Sequence, residues 1–156
     1  MSTEIERKFL VTGTEWRRDD GVRFSQGYLS RDKERTVRVR LADDHAFLTI
    51  KGLSTGASRP EFEYEIPAAD GEELLKLCDG PIIQKVRHIV VHQGFTWEVD
   101  EFLGENSGRV VAEIELESEN QPFERPGWLG REVTEDPRYY NANLTANPYS
   151  TWSEHH

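Results

Sequence analysis

Charged residues recur in this sequence as pairs of one sign separated by a single apolar residue. They are Glu4-Ile5-Glu6, Arg38-Val39-Arg40, Glu61-Phe62-Glu63, Lys85-Val86-Arg87, Glu98-Val99-Asp100 and Glu113-Ile114-Glu115, with Lys8 and Lys51 as single cations on the same pattern. Like charges set side by side repel unless something bound between them offsets the repulsion. Guanidinium and ammonium groups hold phosphate oxygens. Carboxylates hold hard divalent ions such as Mg2+ or Mn2+, which in turn bridge to phosphates. The combined set therefore suits a short phosphate chain together with a divalent metal, and the excess of acids fits a site charge-balanced by both.

A spacing of two is the period of a β-strand. Strands are expected over residues 4–11, 22–29, 35–41, 46–51, 59–66, 85–92, 95–102 and 109–117, each with one apolar and one charged face. Residues 68–78 switch to helical spacing through Leu74, Leu75 and Cys78, with Gly80-Pro81 as the stop. The glycine-containing stretch 52–58 reads as a hairpin loop, since no GK[ST] follows the glycines as a phosphate-binding loop requires. From about residue 130 a helical tail is expected, with a helix from Asp136-Pro137 to about Ala146.

Taken strand by strand, a solvated charged face is the ordinary arrangement. Taken together, the sign-sorted pairs favour an eight-stranded antiparallel barrel with the charges in its lumen and the apolar faces outside under helices. The expected class is thus α+β, mainly β, in a single domain spanning residues 1–156. Val39, Phe62, Val99 and Ile114 should point outward.

The composition narrows the function classes. The chain has 156 residues and a net charge of −10, which disfavours a nucleic-acid surface or an anionic membrane as partner. Cys78 is the only cysteine, so neither a disulfide framework nor a thiolate metal cluster is expected. The early residues are charged from Glu4 onward and no apolar run approaches the ~18 residues of a spanning helix, so a cytoplasmic, soluble protein is expected. The sequence leaves open whether it forms a homodimer.

The motif Glu4-Ile5-Glu6-Arg7-Lys8 resembles the ExExK signature of the CYTH superfamily, the triphosphate tunnel metalloenzymes. The paired motifs follow in the same order from residue 4 to about 117, and the stretch from Arg131-Glu132-Val133-Thr134 to Asn143 is similar to the tail of small bacterial members. The resemblance implies an eight-stranded tunnel whose members act on triphosphates. It implies that Glu4, Glu6, Glu113 and Glu115 hold metal, with Glu61, Glu63, Glu98 and Asp100 as further ligands or water-orienting groups. Lys8, Arg38, Arg40, Lys51, Lys85 and Arg87 would grip the phosphates.

The reaction expected is metal-dependent hydrolysis of inorganic triphosphate to pyrophosphate and phosphate, with Mg2+ or Mn2+ as cofactor. Lys85, Glu63 and Asp100 form the expected catalytic set, and Lys85 is a candidate base if neighbouring cations depress its pKa. No Ser/His/Asp or Cys/His set is evident, which favours direct attack by water. Two other readings stand beside this one: an adenylyl cyclase or nucleoside or thiamine triphosphatase of the same superfamily, and a non-catalytic polyphosphate-binding module. Tyr28 is a candidate lining residue, with packing as the equal alternative. His88 and His92 fall on an apolar face and are read as covered or surface histidines.

Overall fold

The structure, a computed structural model, describes residues 2–139. Its strands are β1 (Ser2–Val11), β2 (Val22–Ser30), β3 (Thr36–Ala42), β4 (His45–Lys51), β5 (Ser58–Ile66), β6 (Asp79–His92), β7 (Phe95–Phe102), β8 (Val110–Glu115) and β9 (Leu129–Glu132), with one helix, α1 (Ala68–Lys76), between β5 and β6. The sheet order is β5-β4-β3-β2-β6-β7-β8-β1, every pairing is antiparallel, and β5 also pairs with β1. The eight strands therefore close into a barrel, as the charge alternation predicts, and closure leaves them no free edge. Tight turns fix the register. Gln93-Gly94, both at positive φ (50° and 80°), join β6 to β7 in the backbone conformation such two-residue hairpins favour.

Two elements differ from the sequence expectation. Strand β6 begins at Asp79 rather than Lys85. Its register against β2 shifts between Gln26 and Tyr28, so Pro81 sits in an irregular stretch where its missing N–H removes no regular ladder bond. The second is β9, which occupies the start of the tail expected to be helical; residues 137–139 then form a single 3-10 turn. The rest of the expected tail helix lies outside the described residues. Four residues are too short to show alternation, so β9 was hidden in the sequence. It docks on β1, and Gly130 lets the backbones approach: a Cβ there would stand 3.1 Å from the Leu10 carbonyl oxygen. The same strand explains Arg7, the odd cation on the apolar side of β1. Its Nε and Nη2 donate to Glu132 of β9 at 2.9 and 2.6 Å.

The apolar faces do point outward, but helices cover only part of them. Helix α1 packs across β2, β3 and β4, and Gly71 brings it so close that a Cβ would stand 2.5 Å from the Cβ of Ala46. Around β1, β7 and β8 the cover is irregular chain. Trp97, Val99, Ala112 and Ile114 are buried with Phe9 beneath Trp16 and Trp128, and Phe123 packs against this cluster. The Trp97 ring meets Phe9, Phe123 and Trp128 edge-on at 5.5 to 5.8 Å, the arrangement the aromatic quadrupole favours. Val39 is buried, whereas Phe62 is half-buried and its neighbour Tyr64 exposed. His88 is a covered histidine: its Nδ1 accepts from the Arg18 N–H and its ring meets Trp16 edge-on.

Candidate active site

The lumen contains a cavity of about 740 Å³. Strand alternation delivers the charged side chains to it, because every second residue of each strand faces inward. The cations Lys8, Arg38, Arg40, Lys51 and Arg87 line it. So do Glu4 and Glu6 of β1, Glu61 and Glu63 of β5, Glu98 of β7, and Glu113 and Glu115 of β8. Tyr28 lines it too, while its ring clusters with Ile83 and Phe102, so lining and packing are combined. Arg31, Lys33 and Arg59 complete the wall beside loop 52–57.

Pairing register sets the acids and bases against one another. Glu6 stands opposite Glu115, Lys8 opposite Glu113, and Glu98 opposite Glu113. The Lys51 ammonium lies 3.0 Å from Glu4, Lys8 lies 3.5 Å from Glu113, and Arg87 lies 3.2 Å from Glu98. Arg38 donates to the Thr49 hydroxyl at 3.2 Å, which donates to Glu63 at 3.0 Å.

Burial works against the ionised forms of Glu4, Glu6, Glu98 and Glu113, and their neighbours decide the outcome. Glu4 is pushed up to about 7, by burial first and then by Glu61, with Lys51 opposing. Glu6 is raised well above the ordinary range by burial, then by Glu113 and Glu4. Burial also raises Glu98. For Glu113 burial is outweighed by Lys8, Arg87 and Lys85, which bring it down to about 2. Glu6 is thus pushed toward the neutral form and Glu113 toward the ionised one. Arg40 is brought down to about 9 by burial and by the charges of Arg38 and Arg87.

Lys85 and Asp100 lie elsewhere than the sequence reading expects of catalytic groups. Neither lines the cavity; both are buried behind it. The two Asp100 oxygens are held by Arg87 at 2.8 and 2.9 Å, and the Lys85 ammonium lies 2.8 Å from the same carboxylate. Burial would raise Asp100, but Arg87 and Lys85 hold it below the ordinary carboxylate range. Burial, with Arg40 and Arg87 nearby, pulls Lys85 below the ordinary lysine range against the pull of Asp100.

Several contributors escape a reading based on charge. The Phe24 ring lies 4.6 Å from the Arg40 guanidinium and 4.7 Å from that of Arg87, an aromatic backing for two cations. Gln26, fully buried, accepts from Arg40 Nε at 3.0 Å. Their signal was present in phase, since both share the parity of Tyr28 on β2.

A hard divalent cation takes oxygen ligands, and the glutamates of the cavity supply that chemistry. Burial and mutual repulsion drive Glu4 and Glu6 toward the neutral form, a cost that a bound cation would offset. The donor set therefore fits a metal. Among the described residues no three acids already stand in metal-holding geometry, and lysine or arginine side chains engage several of them.

Known proteins match the chain along nearly its whole length. The CYTH domain profile matches residues 2–149. The chain is 54% identical to an inorganic triphosphatase of Acetivibrio thermocellus over 156 residues, covering 99% of this chain and all of that one. It is 37% identical to an inorganic triphosphatase of Nitrosomonas europaea, covering 91% and 96% of the two chains. A solved structure of an inorganic triphosphatase superposes with a TM-score of 0.65 at 34% identity, covering 90% of this chain and 96% of that one. A profile match across nearly the whole length, on a closed barrel with the ExExK glutamates and lysine in its lumen, leads to one conclusion: this chain belongs to the CYTH domain family.

Proposed function

We propose that this protein hydrolyses inorganic triphosphate to pyrophosphate and phosphate in the cavity of its barrel. One observation carries the reading: five inward cations and seven glutamates line a single cavity, the side-chain chemistry that phosphate and a hard metal ion require. The relatives that bear the name inorganic triphosphatase match this chain along nearly their whole length, which supports the same substrate.

In this reading Arg38, Arg40, Lys51, Arg87 and Lys8 bind the phosphate oxygens and stabilise charge that grows on the equatorial and leaving oxygens. Glu4, Glu6, Glu113 and Glu115 would hold Mg2+ or Mn2+, with Glu61 and Glu98 beside them. Such an ion adds positive charge against the phosphate oxygens and favours attack by water. Glu63, steered by Thr49, orients the water. Lys85 and Asp100 act at one remove: their ion pair fixes the Arg87 guanidinium from behind the cavity wall. The lone Cys78 suits a reducing cytoplasm.

Product analysis tests the proposal. With inorganic triphosphate and Mg2+, phosphate and pyrophosphate should appear in equal amounts, pyrophosphate should not be consumed further, and chelator should stop turnover. Sustained turnover in chelator, or pyrophosphate hydrolysed as fast as triphosphate, would contradict it.

A further inference from the structure

Arg109, the residue before β8, is 2% exposed and does not line the cavity. Among the described residues no carboxylate lies within ion-pair distance of it, and its Nε and Nη1 have no hydrogen-bond partner. Its guanidinium lies 4.4 Å from the centre of the Phe102 ring and 5.2 Å from that of Tyr139, and its Nη2 donates to the Tyr139 carbonyl. A buried cation with so little compensation costs stability, and an apolar residue would pack there more cheaply. What distinguishes this place is the carbonyl. Lys8, the lysine of the ExExK motif, donates to the same Tyr139 oxygen at 3.2 Å.

The rest of Lys8 is gripped by the same segment. Its backbone N–H donates to the Thr134 hydroxyl at 3.0 Å, and its carbonyl accepts from the Val133 N–H at 2.7 Å. The Lys8 ammonium lies near both the Tyr139 carbonyl, at 3.2 Å, and Glu113, at 3.5 Å. We infer that Arg109 is a positioning residue: by anchoring the Tyr139 carbonyl it holds the Lys8 ammonium over the cavity, beside Glu113. A carbonyl that already accepts from a guanidinium is aimed firmly yet binds a second cation less tightly, so it places the Lys8 ammonium without competing strongly with phosphate. The inference rests on the proposed role of Lys8 as a phosphate ligand.

A double-mutant cycle tests it, read by triphosphate binding in chelator, so that the metal and turnover do not enter. Arg109→Met and Lys8→Met should each weaken binding by about tenfold, and the double variant should be no weaker than Lys8→Met alone. Lys51→Met serves as control and should combine additively with Arg109→Met. If Arg109→Met weakens binding equally in both backgrounds, Arg109 is only a structural latch and the inference falls. Should Arg109→Met fail to fold, Arg109→Lys keeps the cation, and the same non-additivity is expected with a smaller loss. If the parent protein binds no triphosphate at all, the functional proposal fails instead, which is a distinguishable result.

Discussion

Replacing Arg87 with methionine should remove most turnover and destabilise the fold at once. Among the described residues, Arg87 is the only side chain that both lines the cavity and grips Asp100 with two nitrogens, at 2.8 and 2.9 Å, while a third reaches Glu98 at 3.2 Å. Methionine leaves Asp100, 2% exposed, with the Lys85 ammonium as its one remaining ion-pair partner among the described residues. Breaking a buried ion network in this way costs about 3–5 kcal/mol. Loss of a donor that acts on growing charge costs about 10²–10³-fold in kcat. The two effects separate in the double variant Arg87→Met/Asp100→Asn, which should recover much of the stability and none of the turnover. Thermal melting and kcat on refolded, monodisperse protein measure both. A melting temperature unchanged by Arg87→Met would show that Asp100 does not depend on it.

Glu6→Gln should have the opposite signature, less activity and more stability. Glu6 is raised by burial, Glu113 and Glu4, so the metal-free folded state binds its proton more tightly than the unfolded chain does. Below the ordinary value of 4.5 both states are protonated and the group is neutral for stability. As pH rises above that value the unfolded chain ionises first, and the folded state loses stability until Glu6 itself ionises. Glu4, raised to about 7, places its own share of this loss between pH 4.5 and 7. In chelator Glu6→Gln should therefore melt higher than the parent by a margin that is larger at about pH 8 than at about pH 5. With limiting Mg2+ its turnover should fall by about a hundredfold or more. A margin that does not change with pH would show that Glu6 carries no such penalty.

Much of this arrangement was legible in residue parity. Because strand side chains alternate, the phase of Arg38, Arg40, Lys51, Glu61, Glu63, Glu98, Glu113 and Glu115 fixed which face each occupies once the charged faces were set inward. Parity does not tell depth. Lys85 and Asp100 share the inward phase, yet they do not line the cavity: both are buried, with Asp100 engaged by Arg87 and Lys85. Nor does it show what covers the outer face. Sequence periodicity finds helix α1, but the chain around Trp16, Phe123 and Trp128 has no period and acts through aromatic bulk. Strand β9 and the Arg109–Tyr139–Lys8 contact join residues 30 to 131 positions apart, and no local pattern encodes them.

Among the described residues the cavity lining is dominated by groups suited to a phosphate chain and its metal. The direct measurement is kcat/KM for inorganic triphosphate against ATP under saturating Mg2+, with the nucleotide products identified. Inorganic triphosphate should be clearly preferred, with no cyclic AMP formed from ATP. Equal or better use of ATP, or any cyclic AMP, would contradict it.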